Sequence, residues 1–454
     1  MELGRSRMRL GILNGWIGHR GRNILHTGGW SLAAKVCTAA NLFISIPFVL
    51  SAIGTEQFGA WATLVSLVAF AGFLDFGFGN GAMNLLAAAH GRNSPAEIAT
   101  ILHEGRRALL RIALWLAVIA LIALPLVSWH RMLGMPDSMS SASRNAVAAV
   151  LFSIVLAVPL NLANRVQLGL GRGDRAFRWQ AIGQLATLAM VIVLARTHAS
   201  LTTLTAAAVA TPLLASVANT CSVWRDPAIA TASPMAGSER TEIAHRIRSE
   251  GILFFGLQLS AILAFSVDLP LISAFRGPAE AGTYAIVQRL FSVVPLALSL
   301  IWAPLWPIYR QALATGDHQW VKRTLRRSLG FAIALAAIGA AVLAFGFDPI
   351  TGVWVRKPLV VGGVLLAGFS AWCIVEAAGT ALATFLNAAS VLRYQLVTAC
   401  VFATICLLGK AWAITHLGIA WVPWVTVVTY CMASVLPFVW FGRRIFADAF
   451  TRTY

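Results

Sequence analysis

Five ionisable residues stand inside long apolar runs of this sequence: Lys35, Asp75, Asp268, Arg289 and Glu376. Charge is costly there, so such groups are retained for pairing or for function. Lys35 and Asp75 lie equally far on either side of a turn near Thr55, and Asp268 and Arg289 on either side of one near Pro278. At about 1.5 Å per helical residue, each couple reaches a common depth. Opposite charges at one level can neutralise each other, and Lys35 can also extend its stem to a polar boundary. The same residues can instead line a polar cavity, where Lys35 and Arg289 offer positive charge to an anionic group while Asp75 or Asp268 exchanges a proton or ion. Glu376 has no partner at a matching position in an adjacent run and lies toward one end of its own. It is a candidate for ion coupling or an ordinary wetted carboxylate.

The elements that carry these residues are membrane spans. Of the 454 residues, 58% are hydrophobic and 11% charged, and the mean hydropathy is +0.76. A soluble domain has roughly 25% charged residues. A helix crossing a hydrocarbon core needs roughly 20 apolar residues. Runs that qualify start near Gly29, Phe58, Ala108, Asn145, Ala176, Leu201, Gly251, Gly282, Ser328, Leu359, Gln395 and Gly418. The fold class is therefore an all-α polytopic membrane protein of about twelve spans.

Arginine placement orients the spans. Twenty-six of the 35 Lys and Arg residues fall on the side of the termini. Seven fall opposite, namely Arg131, Arg144, Arg196, Arg276, Arg356, Lys357 and Lys410, while Lys35 and Arg289 lie within spans. Both termini are expected in the cytoplasm, with the chain in a bacterial inner membrane. The net charge of +18 then reflects short basic loops beside anionic lipid, and no nucleic-acid partner is expected. Arg165, Arg172, Arg175 and Arg178 at the cytoplasmic mouth, and Arg310 at the cytoplasmic end of the eighth span, are candidate contacts for an anionic substrate. Positive-inside topology accounts for the same five residues without any ligand.

The chain reads as two similar halves. Ser51 opens SAIGTEQFGAWA and Ser273 opens SAFRGPAEAGTYA, so that Gly54 and Gly59 match Gly277 and Gly282 at an offset of 223, with Trp61 opposite Tyr284. Arg106-Arg107 recurs as Arg326-Arg327, and Arg178-Trp179-Gln180 as Arg393-Tyr394-Gln395, in the same order. The expected organisation is a basic N-terminal tail (1–28), a six-helix bundle (29–223), a cytoplasmic linker (224–250), a second six-helix bundle (251–441) and a C-terminal tail (442–454). Six spans per half give both halves one orientation and place a central cavity between them.

No cysteine or histidine spacing suits a metal, and no cofactor is expected. Neither face shows a paired-carboxylate, Ser/His/Asp or phosphate-cradling glycine arrangement, and the connections opposite the termini are short, which argues against an enzyme. The connection GRNSPAEIATILHEGRR from Gly91 lacks the GxxxDRxGRR pattern of the major facilitator class.

From Phe58 to Ala87 the string FGAWATLVSLVAFAGFLDFGFGNGAMNLLA resembles the second helix of the polysaccharide-transporter family. These are oligosaccharide flippases of the multidrug/oligosaccharidyl-lipid/polysaccharide exporter superfamily, with a glycine and aromatic opening (Phe58, Gly59, Trp61) and an LDxG-type turn (Leu74, Asp75, Gly77). The second-half opening Gly282, Tyr284 with Arg289 is similar to the family's eighth helix. The resemblance implies transport of undecaprenyl-diphosphate-linked oligosaccharide from the cytoplasmic to the periplasmic leaflet, amid bilayer lipids, with a polysaccharide polymerase or glycosyltransferases as candidate partners. An ion-coupled drug or cation antiporter of the same superfamily is the alternative; it calls for unpaired carboxylates, for which Glu376, Asp75 and Asp268 are candidates.

Overall fold

The structure is a computed structural model that describes residues 19–72, 74–230, 233–314, 316–356, 359, 361–389 and 391–442. Its helices of nine or more residues are α1 (His19–Ser66), α2 (Phe78–Gly91), α3 (Pro95–Leu126), α4 (Ser140–Gly169), α5 (Gly173–Arg196), α6 (Leu201–Trp224) and α7 (Gly237–Phe265). They continue with α8 (Asp268–Arg276), α9 (Pro278–Phe291), α10 (Val293–Ala314), α11 (His318–Phe345), α12 (Gly363–Ala388), α13 (Leu392–His416) and α14 (Val422–Tyr430). No strand occurs among the described residues.

Eleven helical stretches are long and apolar enough to cross a membrane. The first, His26–Gly72, has 47 residues, about twice what one crossing needs. It turns back at Gly54, where φ is 77° and ψ 174°, a conformation that only glycine adopts without strain. Divided there, the spans number twelve, as the apolar runs predict. Residues such as Leu114, Trp115 and Leu121 on α3, each at least 66% exposed, present the outward apolar surface that lipid covers.

Helix starts differ from the apolar runs. The runs begin near Ala108, Gly251 and Ser328, but α3, α7 and α11 begin at Pro95, Gly237 and His318. Polar turns extend each helix beyond its apolar part, and local chemistry starts them: Pro95 sits in the first turn of α3, and Asp317 Oδ1 accepts from the Trp320 N–H at 3.0 Å. The linker 224–250 is accordingly helical from Gly237 onward. Helix α1 likewise begins at His19, within the stretch expected as a tail. Residues 1–18 and 443–454 lie outside the described residues.

One packing scheme serves both halves. The first span packs on the fifth, the second on the fourth, the fourth on the third and sixth, and the fifth on the sixth, in 19–224 and again in 237–442. The duplicated hairpin glycines agree in conformation, Gly277 having φ 89° and ψ 167° beside the values of Gly54. The two hairpins meet back to back. A Cβ added to Gly59 would fall on the Pro278 carbonyl, and one added to Gly282 would lie 3.1 Å from Gly59 Cα, so this main-chain approach requires glycine at 59 and leaves little room at 282. The face carrying these hairpins is called the far face below, and the one where α1 begins the terminal face. Toward the terminal face the halves touch again at Gly77 and Gly251, where a Cβ on Gly251 would stand 2.9 Å from the Gly77 carbonyl.

Candidate functional site

Helix α1 carries Lys35, Thr38, Asn41 and Ser45 at spacings of three, three and four, which place them along one face. From that face Lys35 crosses to the other half. Its Nζ donates to Ser299 Oγ at 3.1 Å and to the Ser299 carbonyl at 3.2 Å. Arg289 crosses in the opposite direction. With Ala285 it borders a cavity of about 80 Å³ whose other walls are N-terminal-half residues, including Asn41, Ser45, Trp61 and Thr187. Arg289 has no ion-pair partner among the described residues. Trp61 is 7% exposed and its Nε1 has no hydrogen-bond acceptor among the described residues, while Asn41 is oriented by donating to Gln184 Oε1 at 2.7 Å. Ten residues separate Ser299 from Arg289, so the two cationic positions stand about 15 Å apart along the seam.

The expected charge couples do not form. Asp75 points away from Lys35: its Oδ1 accepts from the Gly77 N–H at 2.9 Å and its Oδ2 from the Gly79 N–H at 3.2 Å. Arg165 approaches the same spot, since a Cβ on Gly79 would lie 2.6 Å from Asp75 Oδ2 and 3.7 Å from Arg165 Nε. Gly77 supplies the turn that makes this possible, at φ 76°. Asp268 does not pair with Arg289 either. Lys410 donates to Asp268 Oδ1 at 2.6 Å, and the Tyr284 hydroxyl donates to Asp268 Oδ2 at 2.9 Å. Residue counting gives these couples a common depth, but rotation about each helix axis sends the partners to different neighbours.

Lys410 is also misplaced by the reading of the sequence, which puts it in a connection opposite the termini. It lies inside α13 and is 1% exposed. A signal for it exists in the sequence: Asp268 precedes the hairpin glycine Gly277 by nine residues, and Lys410 precedes Gly418 by eight. Those glycines share φ 89°. Glu376 is corrected too, since it stands midway along α12 (Gly363–Ala388) and not toward the terminal end. With Asp268, Lys410 and Gln288 it borders a cavity of about 190 Å³ inside the C-terminal bundle. No ion pair to Glu376 occurs among the described residues.

The arginines of the mouth do not act as one cluster. Arg165 faces Asp75, whereas Arg172 donates to Asp226 and Arg175 stands 3.8 Å from the same carboxylate. Arg178 is exposed. Arg310 lies in α10, and its side chain is outside the described residues. Among the described residues no group of three or more His, Cys, Asp or Glu side chains could hold a metal ion. The chemistry available at the seam is thus two cations without carboxylate partners, a free indole N–H and neutral polar groups. That set suits a phosphate-like anion, to which a guanidinium presents a matched fork.

Residues 24–312 match the polysaccharide biosynthesis protein family. Over 329 residues, 69% of this chain and 70% of the relative, the chain is 24% identical to a protein of Salmonella typhimurium named "Putative O-antigen transporter". The fold is similar to an inward-facing multidrug resistance MATE family transporter of the MOP superfamily, with a TM-score of 0.72 and 14% identity over 92% of this chain and 96% of that one. It is also similar to the lipid II flippase MurJ in an inward closed conformation, with a TM-score of 0.70 and 12% identity over 93% of this chain and 89% of that one.

Proposed function

The chain belongs to the polysaccharide biosynthesis protein family, and we propose that within it the protein is a flippase for lipid-linked oligosaccharide. In this reading an undecaprenyl-diphosphate-linked oligosaccharide passes from the cytoplasmic to the periplasmic leaflet of the bacterial inner membrane. The termini are cytoplasmic, the two bundles alternate in access, and bilayer lipids flank the path. Polymerase or glycosyltransferases act before and after the step.

The observation that carries the proposal is the reciprocal crossing of the seam by Lys35 and Arg289, neither with a carboxylate partner among the described residues. When the halves part, these contacts must break, and both cations become available to an anion in the cleft. A diphosphate with about two negative charges moving outward through 100 mV gains roughly 4 to 5 kcal/mol, at about 2.3 per charge. The antiporter alternative needs carboxylates free to hold a cation. Asp75 is capped by backbone N–H groups and Asp268 is held by Lys410, so that alternative rests on Glu376.

Arg289→Ala, expressed in a strain lacking its own flippase, is expected to leave protein levels intact, abolish surface glycan and accumulate lipid-linked oligosaccharide inside. Arg289→Lys, which keeps the charge but not the fork, should restore part of the export. Normal glycan export by both Arg289→Ala and Lys35→Ala would refute the cationic path.

A further inference from the structure

Lys410 is one of the largest side chains wholly withdrawn from the surface. An ammonium buried in this way is strongly unfavourable unless charge and hydrogen bonds are both satisfied. Two of its three donors are satisfied, by Asp268 Oδ1 and by the Ala264 carbonyl, each at 2.6 Å. That carbonyl belongs to the last turn of α7, at the break before α8. Tyr284 of α9 holds the second carboxylate oxygen, and Thr426 stands on the wall of the same cavity. The ammonium therefore lies where four spans meet, between hard oxygens that together carry one negative charge. Carboxylate and carbonyl oxygens are the donors that hard metal cations select.

The repeat sharpens this. At the offset of 223, Ser45 occupies the place of Asp268 and Trp61 that of Tyr284; at the offsets of 219 and 220 that relate the ends of α5 and α13, the apolar Val191 or Met190 occupies the place of Lys410. Cation and anion are present together in one half and absent together from the other. We infer that Lys410 is a tethered counter-cation: its ammonium fills an oxygen-lined monovalent-cation site of the C-terminal bundle, which is thereby charge-balanced without a bound alkali ion. A soluble cation can reach these oxygens only by displacing one that cannot diffuse away. Asp268 is committed by this arrangement, and Glu376 is left as the carboxylate of that cavity without an ion pair among the described residues.

None of this depends on which molecule the protein moves, and thermal stability rather than transport reads it out. Full-length wild type and K410A, purified in detergent, are unfolded in sodium, potassium, methylammonium or choline chloride at one ionic strength. The wild type is expected to have the same Tm in all four salts. K410A is expected to unfold lower in choline and to regain about 3 °C in at least one of the three small cations, a gain that adding Asp268→Asn abolishes. A wild-type Tm that rises in sodium or potassium, or a K410A Tm that no small cation moves, overturns the inference. Where K410A does not accumulate, the neutral pair D268N/K410M is compared with the wild type. Cation-insensitive unfolding of both supports the tethered cation, and a sodium- or potassium-dependent shift in either sinks it.

Discussion

The two bundles share a packing scheme and a hairpin but not an interior. In the N-terminal bundle Ser45 and Trp61, with Thr187 and Val191 of α5, line a neutral polar cavity into which Arg289 of the other half reaches. In the C-terminal bundle Asp268 and Tyr284, at the places of Ser45 and Trp61, form with Lys410 a sealed, hydrogen-bonded ion pair. Main-chain geometry is preserved at the hairpin glycines Gly54 and Gly277, because their positive φ suits only glycine. Side-chain chemistry has diverged where space permitted it. A buried charge is tolerated only with its partner, so the interior changes by whole pairs and the asymmetry between the halves is all or none.

The largest effect that tests this contrast is expected from removing one member of the pair. Asp268→Ala leaves the Lys410 ammonium buried and unpaired and should cost about 3–5 kcal/mol. Ser45→Ala, at the equivalent place, should stay below about 1 kcal/mol. Thermal unfolding of the two purified variants measures the difference. Equal losses would mean that the C-terminal pair is no more than a wet surface contact.

An intermediate effect is expected where the halves are alike. A Cβ on Gly59 would fall on the Pro278 carbonyl, whereas one on Gly282 meets its nearest atom at 3.1 Å. Gly59→Ala should therefore cost about 1–3 kcal/mol, as overpacking does, and Gly282→Ala less. Reversal of that order in unfolding measurements would show that the hairpins are not pressed together at the far face.

Twelve spans and a two-fold repeat were legible because hydropathy needs only local composition and because glycine at a positive φ leaves a mark in the sequence. The pairing of charges was not. Depth along a helix follows from residue counting, but the direction in which Asp268 or Lys35 points depends on helix rotation, which a slip of one residue changes by about 100°. Lys410 was lost for a related reason: a charge near the end of an apolar run reads as the end of the span, although here it lies inside. Lys35 and Arg289 emerged at the seam because their expected carboxylate partners turned elsewhere. Ser299, a neutral residue in an apolar run, carried no signal that would single it out, and Trp61 stood out only as the aromatic opposite Tyr284, not as a donor at the seam.

The smallest effect separates a structural arginine from a topological one on the terminal face. Arg172 is tied to Asp226 across the connection from α6, and its side chain is 31% exposed. Arg178 is exposed and forms no ion pair among the described residues. Partly exposed pairs contribute about 0.2–1 kcal/mol, and surface changes away from such contacts stay within about 0.5 kcal/mol. Arg172→Ala should thus lower stability slightly, and Arg178→Ala should leave it unchanged. Export decides what Arg178 does. If it only enforces topology, one charge among the many on this face is dispensable and Arg178→Ala exports normally; if it receives the diphosphate before the seam does, export falls while the unfolding curve stays where it was.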